Sequence, residues 1–532
     1  MILDTSTLPD SPSQLKKIIH ALQKEMEEMR NAHEKEIRAM MEHIRLMRAQ
    51  LYGRKSEKIV PPTGYKIVPL FDMPEPEEHD EAPVEEVRVH AHTRKKRGRK
   101  PLPEELPRVE VVHDIDEKDK VCKCGCELKK IGEETSEQLD IIPAKVQVIR
   151  HIRPKYACPV CEGVEDDGPT VKIASVPPAI IPKSIVSPGL LAHILTGKFI
   201  DHTPFYRQEK QFLRLGIDIS RGSMCRWAMR AAAACQPLIN LLQDEILDGF
   251  LIQMDETRLQ VLKEPGRDPT TQSYMWVFRR GAQERPVLIY KYHPTRAGEV
   301  AREFLRGFAG TVQTDGYIGY DFLDKEKSIR HIGCWAHARR KFTDVTKILG
   351  KNRKPGAADK ALGYIRNLYR LERRARQEGY GPDQILAMRQ AEARPILDEF
   401  KAWLRKKLVQ TPPKGLLGKA IAYTLNQWHR LVGYIEDGRL PIDNNMAENS
   451  IRPFVVGRKN WLFAGTPEGA EASAMLYSLI ETAKANKVEP YAYLRYIFEK
   501  LPLAETLADY TALLPWNITP EQLAAPHVVT CA

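Results

Sequence analysis

One stretch limits the folds open to this chain more than any other: Phe250-Leu-Ile-Gln-Met-Asp-Glu-Thr-Arg-Leu-Gln-Val-Leu262. Apolar residues flank Asp255 on both sides, the pattern of a central strand covered on both faces. An ionised carboxylate there costs on the order of several kcal/mol unless a cation meets it. No Lys or Arg stands beside it on the same side of the strand, and Arg258, three residues on, points to the other face. A divalent metal ion is the natural partner. The competing reading is a strand-end acid capping a turn, and carboxylates further along the chain weigh against it.

Two more strands are predicted at Ser273–Phe278 and Pro286–Tyr292, followed by a helix from about Arg296 to Gly307. Gly310-Thr-Val-Gln-Thr-Asp-Gly then puts Asp315 at the end of a fourth strand. Ile329–Cys334 is the fifth and leads into the basic helix Trp335–Phe342. Three strands, a helix, a strand, then a short strand and helix is the order of a ribonuclease H-like domain. Its first and fourth strands are neighbours, which would bring Asp255 and Asp315 together. Two carboxylates that close repel each other, and divalent ions relieve both. Such a two-metal site calls for a third acid.

Residues 346–440 read as helix after helix (Ala357–Gln377, Asp383–Leu408, Leu416–Asp437), an all-α insertion. The core pattern resumes over 441–490. There Asp443 or Asn444 is placed to cap a helix carrying Glu448, with Arg452 one turn later on the same face. Arg458 and Lys459 follow, suited to a phosphate backbone. Asp443 competes for the role of third ligand, but a cap residue already has a task, and Glu256 should face away from Asp255. Glu448 is the choice. His337, with Arg339 and Arg340, is a further candidate to hold DNA near the metals or, equally, a core histidine.

The N-terminal part reads as a series of modules. Residues 1–58 carry apolar positions at steps of three or four (Leu15, Ile19, Leu22, Met26, Met29, Ile37, Met40, Ile44, Met47, Leu51), the seam of a coiled coil. Self-association is expected, with packing on the chain's own body as the alternative. Residues 59–118 form a linker that ends in Thr93-Arg-Lys-Lys-Arg-Gly-Arg-Lys-Pro101, where Arg97 and Arg99 flank a glycine as in a minor-groove hook. Over 119–165, Cys122, Cys124 and Cys126 precede Cys158 and Cys161, with a β-rich stretch Val146–Arg153 between the knuckles. That spacing predicts a structural Zn²⁺ site of four thiolates, the pair contributed by the first knuckle staying open. Residues 166–245 are helical: Gly189–Thr196 and Pro204–Leu215 lead through Gly216 to a basic helix capped by Ser220 and carrying Arg221, Arg226 and Arg230. This resembles a helix-turn-helix. Residues 491–532 form the tail.

The 81 Lys and Arg exceed the 70 Asp and Glu, giving a net charge of +11 and favouring a polyanionic partner. Five of the nine cysteines fall between Cys122 and Cys161, which points to metal binding in a reducing compartment rather than a disulfide framework. No signal peptide and no membrane-length apolar run are read, so the expectation is a cytoplasmic protein.

Several motifs resemble those of transposases of the insertion-sequence sixty-six family, within the Asp-Asp-Glu superfamily. They are Leu51-Tyr-Gly-Arg-Lys-Ser-Glu57, Arg97-Gly-Arg-Lys-Pro-Leu-Pro103, the cysteine module, Asp315-Gly-Tyr317 and Cys334-Trp-Ala-His337. The most specific are Asp443-Asn-Asn-Met-Ala-Glu448 through Ile451-Arg-Pro453, Gly457–Phe463, and Leu514-Pro-Trp-Asn517. The resemblance implies Asp255, Asp315 and Glu448 as a catalytic triad holding Mg²⁺ or Mn²⁺, with the helical block inserted between the second Asp and the Glu. It also implies cleavage at the ends of a mobile element to free a 3′ hydroxyl, which then attacks target DNA. The expected partners are double-stranded DNA, both terminal inverted repeats and target, a second copy of the chain, and accessory proteins of the element; the expected site is the bacterial nucleoid. The first cysteine knuckle departs from the family's usual two-residue gap. Two rival functions are a nuclease of the same fold that cuts without joining, and a DNA-binding regulator with a defunct catalytic domain.

Overall fold

The computed structural model describes residues 146–157, 171–281, 285–348 and 354–524, together with scattered positions between 11 and 41. Two compact units emerge, one of residues 56–175 and one of 1–55 with 176–532.

In the first unit, β1 (Lys155–Ala157) pairs antiparallel with β2 (Val171–Ile173). The strand expected at Val146–Arg153 does not form: that stretch is irregular, with Val148 and Ile152 exposed. Alternating apolar residues make a strand only where a neighbour completes the hydrogen-bond ladder, and none does so here among the described residues. The five cysteines of the predicted zinc site lie outside the described residues, apart from this hairpin, and so do Arg97 and Arg99.

The second unit is built on a five-stranded mixed sheet of β3 (Leu251–Gln260), β4 (Gln272–Arg280), β5 (Leu288–His293), β6 (Gly310–Gln313) and β7 (Ile329–Ile332). Its spatial order is β5-β4-β3-β6-β7. The first three strands run antiparallel, while β6 and β7 are parallel to β3. The first and fourth strands are therefore neighbours, as the sequence order predicts.

Helices α1 (Pro188–Phe199), α2 (Phe205–Arg214), α3 (Arg221–Ala234) and α4 (Gln236–Leu247) precede the sheet. Gly216, at φ +78°, turns the chain between α2 and α3, and Ser220 caps α3 by accepting the Ser223 N–H. Helix α5 (Gly298–Phe304) joins β5 to β6, and α6 (Trp335–Ile348) follows β7. The helical block comprises α7 (Ala357–Gln377), the short Pro382–Met388 helix, α8 (Arg394–Val409) and α9 (Leu416–Asn426). Then come α10 (Asn445–Trp461), which carries Glu448, α11 (Pro467–Ala485) and α12 (Pro490–Lys500).

Two junctions fix this arrangement. Edge strand β5 gives its Tyr290 and Leu288 N–H groups to the Ser478 and Thr482 hydroxyls of α11, at 2.8 and 3.0 Å. Hydroxyls at i and i+4 thus close a sheet edge that would otherwise invite another strand. In the helical block, the single helix expected over Asp383–Leu408 is broken by a π-turn at Arg389–Ala393. The turn seats Arg389, 2% exposed, against Glu372 (2.7 and 2.8 Å) and the carbonyls of Tyr434, Asp437 and Leu440. Its guanidinium therefore ties the block to the chain returning toward Glu448.

At the N-terminus the described positions from 13 to 41 are helical, and Met26, Met29, Ile37 and Met40 are exposed. At these four positions the seam is not covered by the rest of the chain.

Candidate active site

The site begins with two glutamines. Gln253 and Gln313 are register partners on the parallel strands β3 and β6, both fully buried. The Gln253 amide donates to Gln313 Oε1 at 2.7 Å and to the Asp443 carbonyl at 3.2 Å. The Gln313 amide in turn reaches the carbonyls of Pro441 (2.9 Å) and Gly333 (3.2 Å). Asp255 and Asp315 each lie two residues further on: Asp255 in the middle of β3, on the face of Gln253, and Asp315 just past the end of β6.

Burial pushes the Asp255 carboxyl well above the usual carboxylate range, Glu256, Glu448 and Asp315 add to the rise, and the Glu256 N–H, at 2.9 Å, acts against it. Asp315 accepts the Tyr317 N–H at 2.9 Å. Glu256 faces elsewhere, bound by Arg296 and Tyr320.

Helix α10 brings the third acid. Its first residues are held to the sheet by Asn444, whose amide donates to the Met254 carbonyl at 2.8 Å and whose N–H meets Cys334 Sγ at 3.2 Å. Glu448 stands one turn on. Its Oε2 receives Arg340 at 2.9 Å, and its Oε1 lies 3.5 Å from His337 Nδ1. Those two facing atoms are buried with no hydrogen-bond partner. Cys334 Sγ, the His337 ring and the Glu448 carboxylate have ligand atoms within 4.8 Å of one another, a grouping able to hold a metal ion. Burial lowers the His337 pKa, against the pull of Glu448 and Asp315, which keeps a ring lone pair available to a cation. Asp443 is engaged otherwise: it accepts from Tyr369 Oη (2.8 Å) and from the Asn445 backbone and side chain.

Of the residues assigned to DNA, Arg452 and Lys459 are exposed, and Arg458 is partly buried with its guanidinium 3.1 Å from Thr257 Oγ1. Arg221 and Arg226 are exposed on α3. His337 is turned toward Glu448. Gln253, Gln313, Asn444 and Cys334 were not singled out from the sequence as site residues. The spacing Gln253–Asp255 and Gln313–Asp315, repeated on two strands, was the signal available.

Behind Asp315, a polar chain leads into the helical block. Thr314 Oγ1 lies 2.8 Å from His331 Nε2, and His331 Nδ1 lies 2.8 Å from Asp324 Oδ1. Arg430 of the block grips Asp324 (3.1 and 3.2 Å) and Asp321 (2.6 Å). Burial, helped by Arg430, brings His331 down to about 4. Burial acts upward on Asp324, but hydrogen bonds from Arg430 and His331 outweigh it and bring the carboxyl to about 2.

Residues 183–472, which include all three acids, match the family model described as Transposase IS66 family. This chain belongs to that family. Further matches cover residues 119–162 (zinc-finger binding domain of transposase IS66), 478–516 (IS66 C-terminal element) and 39–111 (Transposase C of IS166 homeodomain). The zinc-finger match supports a structural zinc ion in the cysteine segment. The chain is similar to three uncharacterized proteins of Sinorhizobium fredii (strain NBRC 101917 / NGR234). To y4jD it is 34% identical, over 79% of this chain and 82% of that one. To y4qI it is 29% identical, over 98% and 100%. To y4hP it is 29% identical, over 89% and 87%. Membership in the IS66 transposases gives the chain a transposase role. Among the described residues, no helix is long and apolar enough to cross a membrane.

Proposed function

We propose that this IS66 transposase cleaves and joins DNA at the ends of its mobile element, using Asp255, Asp315 and Glu448 to hold Mg²⁺ or Mn²⁺. The strand order β5-β4-β3-β6-β7 supports a ribonuclease H-like core. In that reading residues 346–440 are an insertion between Asp315 and Glu448. One observation carries the proposal above the others: Asp255 sits in a central strand, where Glu256, Glu448 and Asp315 all add their negative charge to the burial of its carboxyl. The orphaned His337 Nδ1 and Glu448 Oε1 fit the same reading, because a divalent ion would satisfy both.

When bound, the ions would supply charge neutralisation at the reacting phosphate. The chain's own residues place and hold. The glutamine pair fixes the spacing of the two aspartates, and Asn444 sets the depth of α10. Arg340 orients the Glu448 carboxylate. Arg452, Arg458 and Lys459 offer positive charge along the same helix for the DNA backbone. Arg97 and Arg99, and the exposed Arg221 and Arg226 of α3, would supply further contacts to DNA. The N-terminal helix would pair two copies through its uncovered seam.

The test is an assay with labelled element ends and a plasmid target in Mg²⁺. Joined products are expected from the wild-type chain. Asp255→Asn should lose cleavage while keeping DNA binding. Cleavage without joined product would favour a simple nuclease, and unchanged cleavage by the variant would refute the proposal.

A further inference from the structure

A cleft of about 400 Å³ opens between α6 and α7, lined by Arg339, Leu362, Arg366, Tyr369, Arg370 and Arg373. Four of these six residues are arginines, all four are exposed, and no carboxylate is in the lining. Among the described residues none of the four has an ion-pair partner; Arg339 stacks on the Tyr369 ring at 5.0 Å. The acids of α7 are used elsewhere. Glu372 is taken by Arg389, and Asp359 accepts the Gly356 N–H at the start of the helix. Arg339 acts on the Asp443 carboxyl, but Arg366, Arg370 and Arg373 face one another with no acid in the lining, and a polyanion is what relieves their repulsion.

The cleft adjoins the acidic site. Tyr369 in its wall bonds Asp443, five residues before Glu448, and Arg339 neighbours Arg340, which holds Glu448. Arg366, Arg370 and Arg373 step by four and three along α7, one face of the helix. At 1.5 Å per residue they span about 10 Å, the axial length of about three phosphates of one strand at 3.4 Å each. Planar guanidinium forks suit phosphate oxygens and carry no base preference.

We propose that this cleft is a binding site for the sugar-phosphate backbone of DNA passing the three acids, with Arg366, Arg370 and Arg373 each meeting a phosphate. The inference deepens the transposase reading, since it takes DNA as the ligand.

The experiment uses the full, zinc-loaded chain without added Mg²⁺ and a fluorescent 40-base-pair duplex of arbitrary sequence, with affinity measured from 50 to 200 mM salt. For Arg366→Ala/Arg370→Ala/Arg373→Ala, the slope of log affinity against log salt should shrink by about 2 to 3, because each lost phosphate contact removes about 0.9. Arg370→Ala alone should remove about 1. A charge-matched control, Arg405→Ala/Lys406→Ala/Lys407→Ala on α8, should keep the wild-type slope. Equal slopes for the cleft variants and the wild type would overturn the site. Equal losses in the two triple variants would overturn it too, reducing the effect to net charge. Failure of the wild-type chain to bind the duplex at all would instead remove the DNA reading itself.

Discussion

The side-chain amide of Gln253 donates to the side-chain oxygen of Gln313 across 2.7 Å, joining β3 and β6 two residues before Asp255 and Asp315. Polar pairing inside an apolar sheet is costly to break, because the partner left behind stays buried and unsatisfied. Gln253→Leu should therefore destabilise the fold by about 1–3 kcal/mol in denaturant unfolding. Cleavage should fall by more than the unfolded fraction explains, since the aspartates lose their fixed spacing. Loss of stability with full activity in the folded protein would show that the pair is structural only.

Asp255 sets a pH dependence. Its folded pKa is raised above the unfolded value, so the protonated form favours the fold. That contribution is complete below about pH 4 and is lost as pH rises through the folded pKa. In metal-free protein, Asp255→Asn should then exceed the wild type in stability by a margin that grows with pH above about 4. Thermal unfolding at a series of pH values checks this, and added Mn²⁺ should narrow the margin by stabilising the wild type alone.

His331 works in the opposite direction. A neutral ring can donate from Nδ1 to Asp324, and the fold holds its pKa near 4. Its stabilising contribution is present above the unfolded value near 6.5 and is lost as pH falls toward 4, an effect of about 3 kcal/mol at most. The Asp324 contribution fades lower still, from the ordinary aspartate range down to about 2. His331→Gln should flatten the stability profile between pH 6.5 and 4, measured by urea unfolding.

Arg389 tests the anchoring of the helical block. Replacing it with Ala leaves Glu372 and three backbone carbonyls without their donor, and loss of one partner from a buried pair costs about 3–5 kcal/mol. Arg389→Lys should recover only part of this, because one ammonium cannot reproduce the planar fork. Full recovery in chemical unfolding would argue against the fork geometry.

What could be read in advance follows from how local the signal is. Apolar runs marked all five strands of the large sheet, and a clean helical period marked Ala357–Gln377 to the residue. Asp255 was visible because a charge in such a run violates the pattern. The glutamines two residues before each aspartate were not, since a polar residue near a strand end is ordinary until its partner is known. The π-turn at Arg389 escaped for the same reason: its cause is a set of carbonyls about 45 to 51 residues away. Preferring Glu448 to Asp443 rested on the cap position, whereas the fold engages Asp443 through Tyr369, a contact 74 residues apart. Val146–Arg153 had the alternation of a strand but gains no neighbour among the described residues.

The most direct test of the account is a count of Mn²⁺ bound by the zinc-loaded full chain, read by electron paramagnetic resonance. The wild type should bind Mn²⁺ in a saturable manner, and Asp255→Asn and Glu448→Gln should each lose that binding while keeping their zinc. Equal Mn²⁺ binding in all three proteins would contradict it.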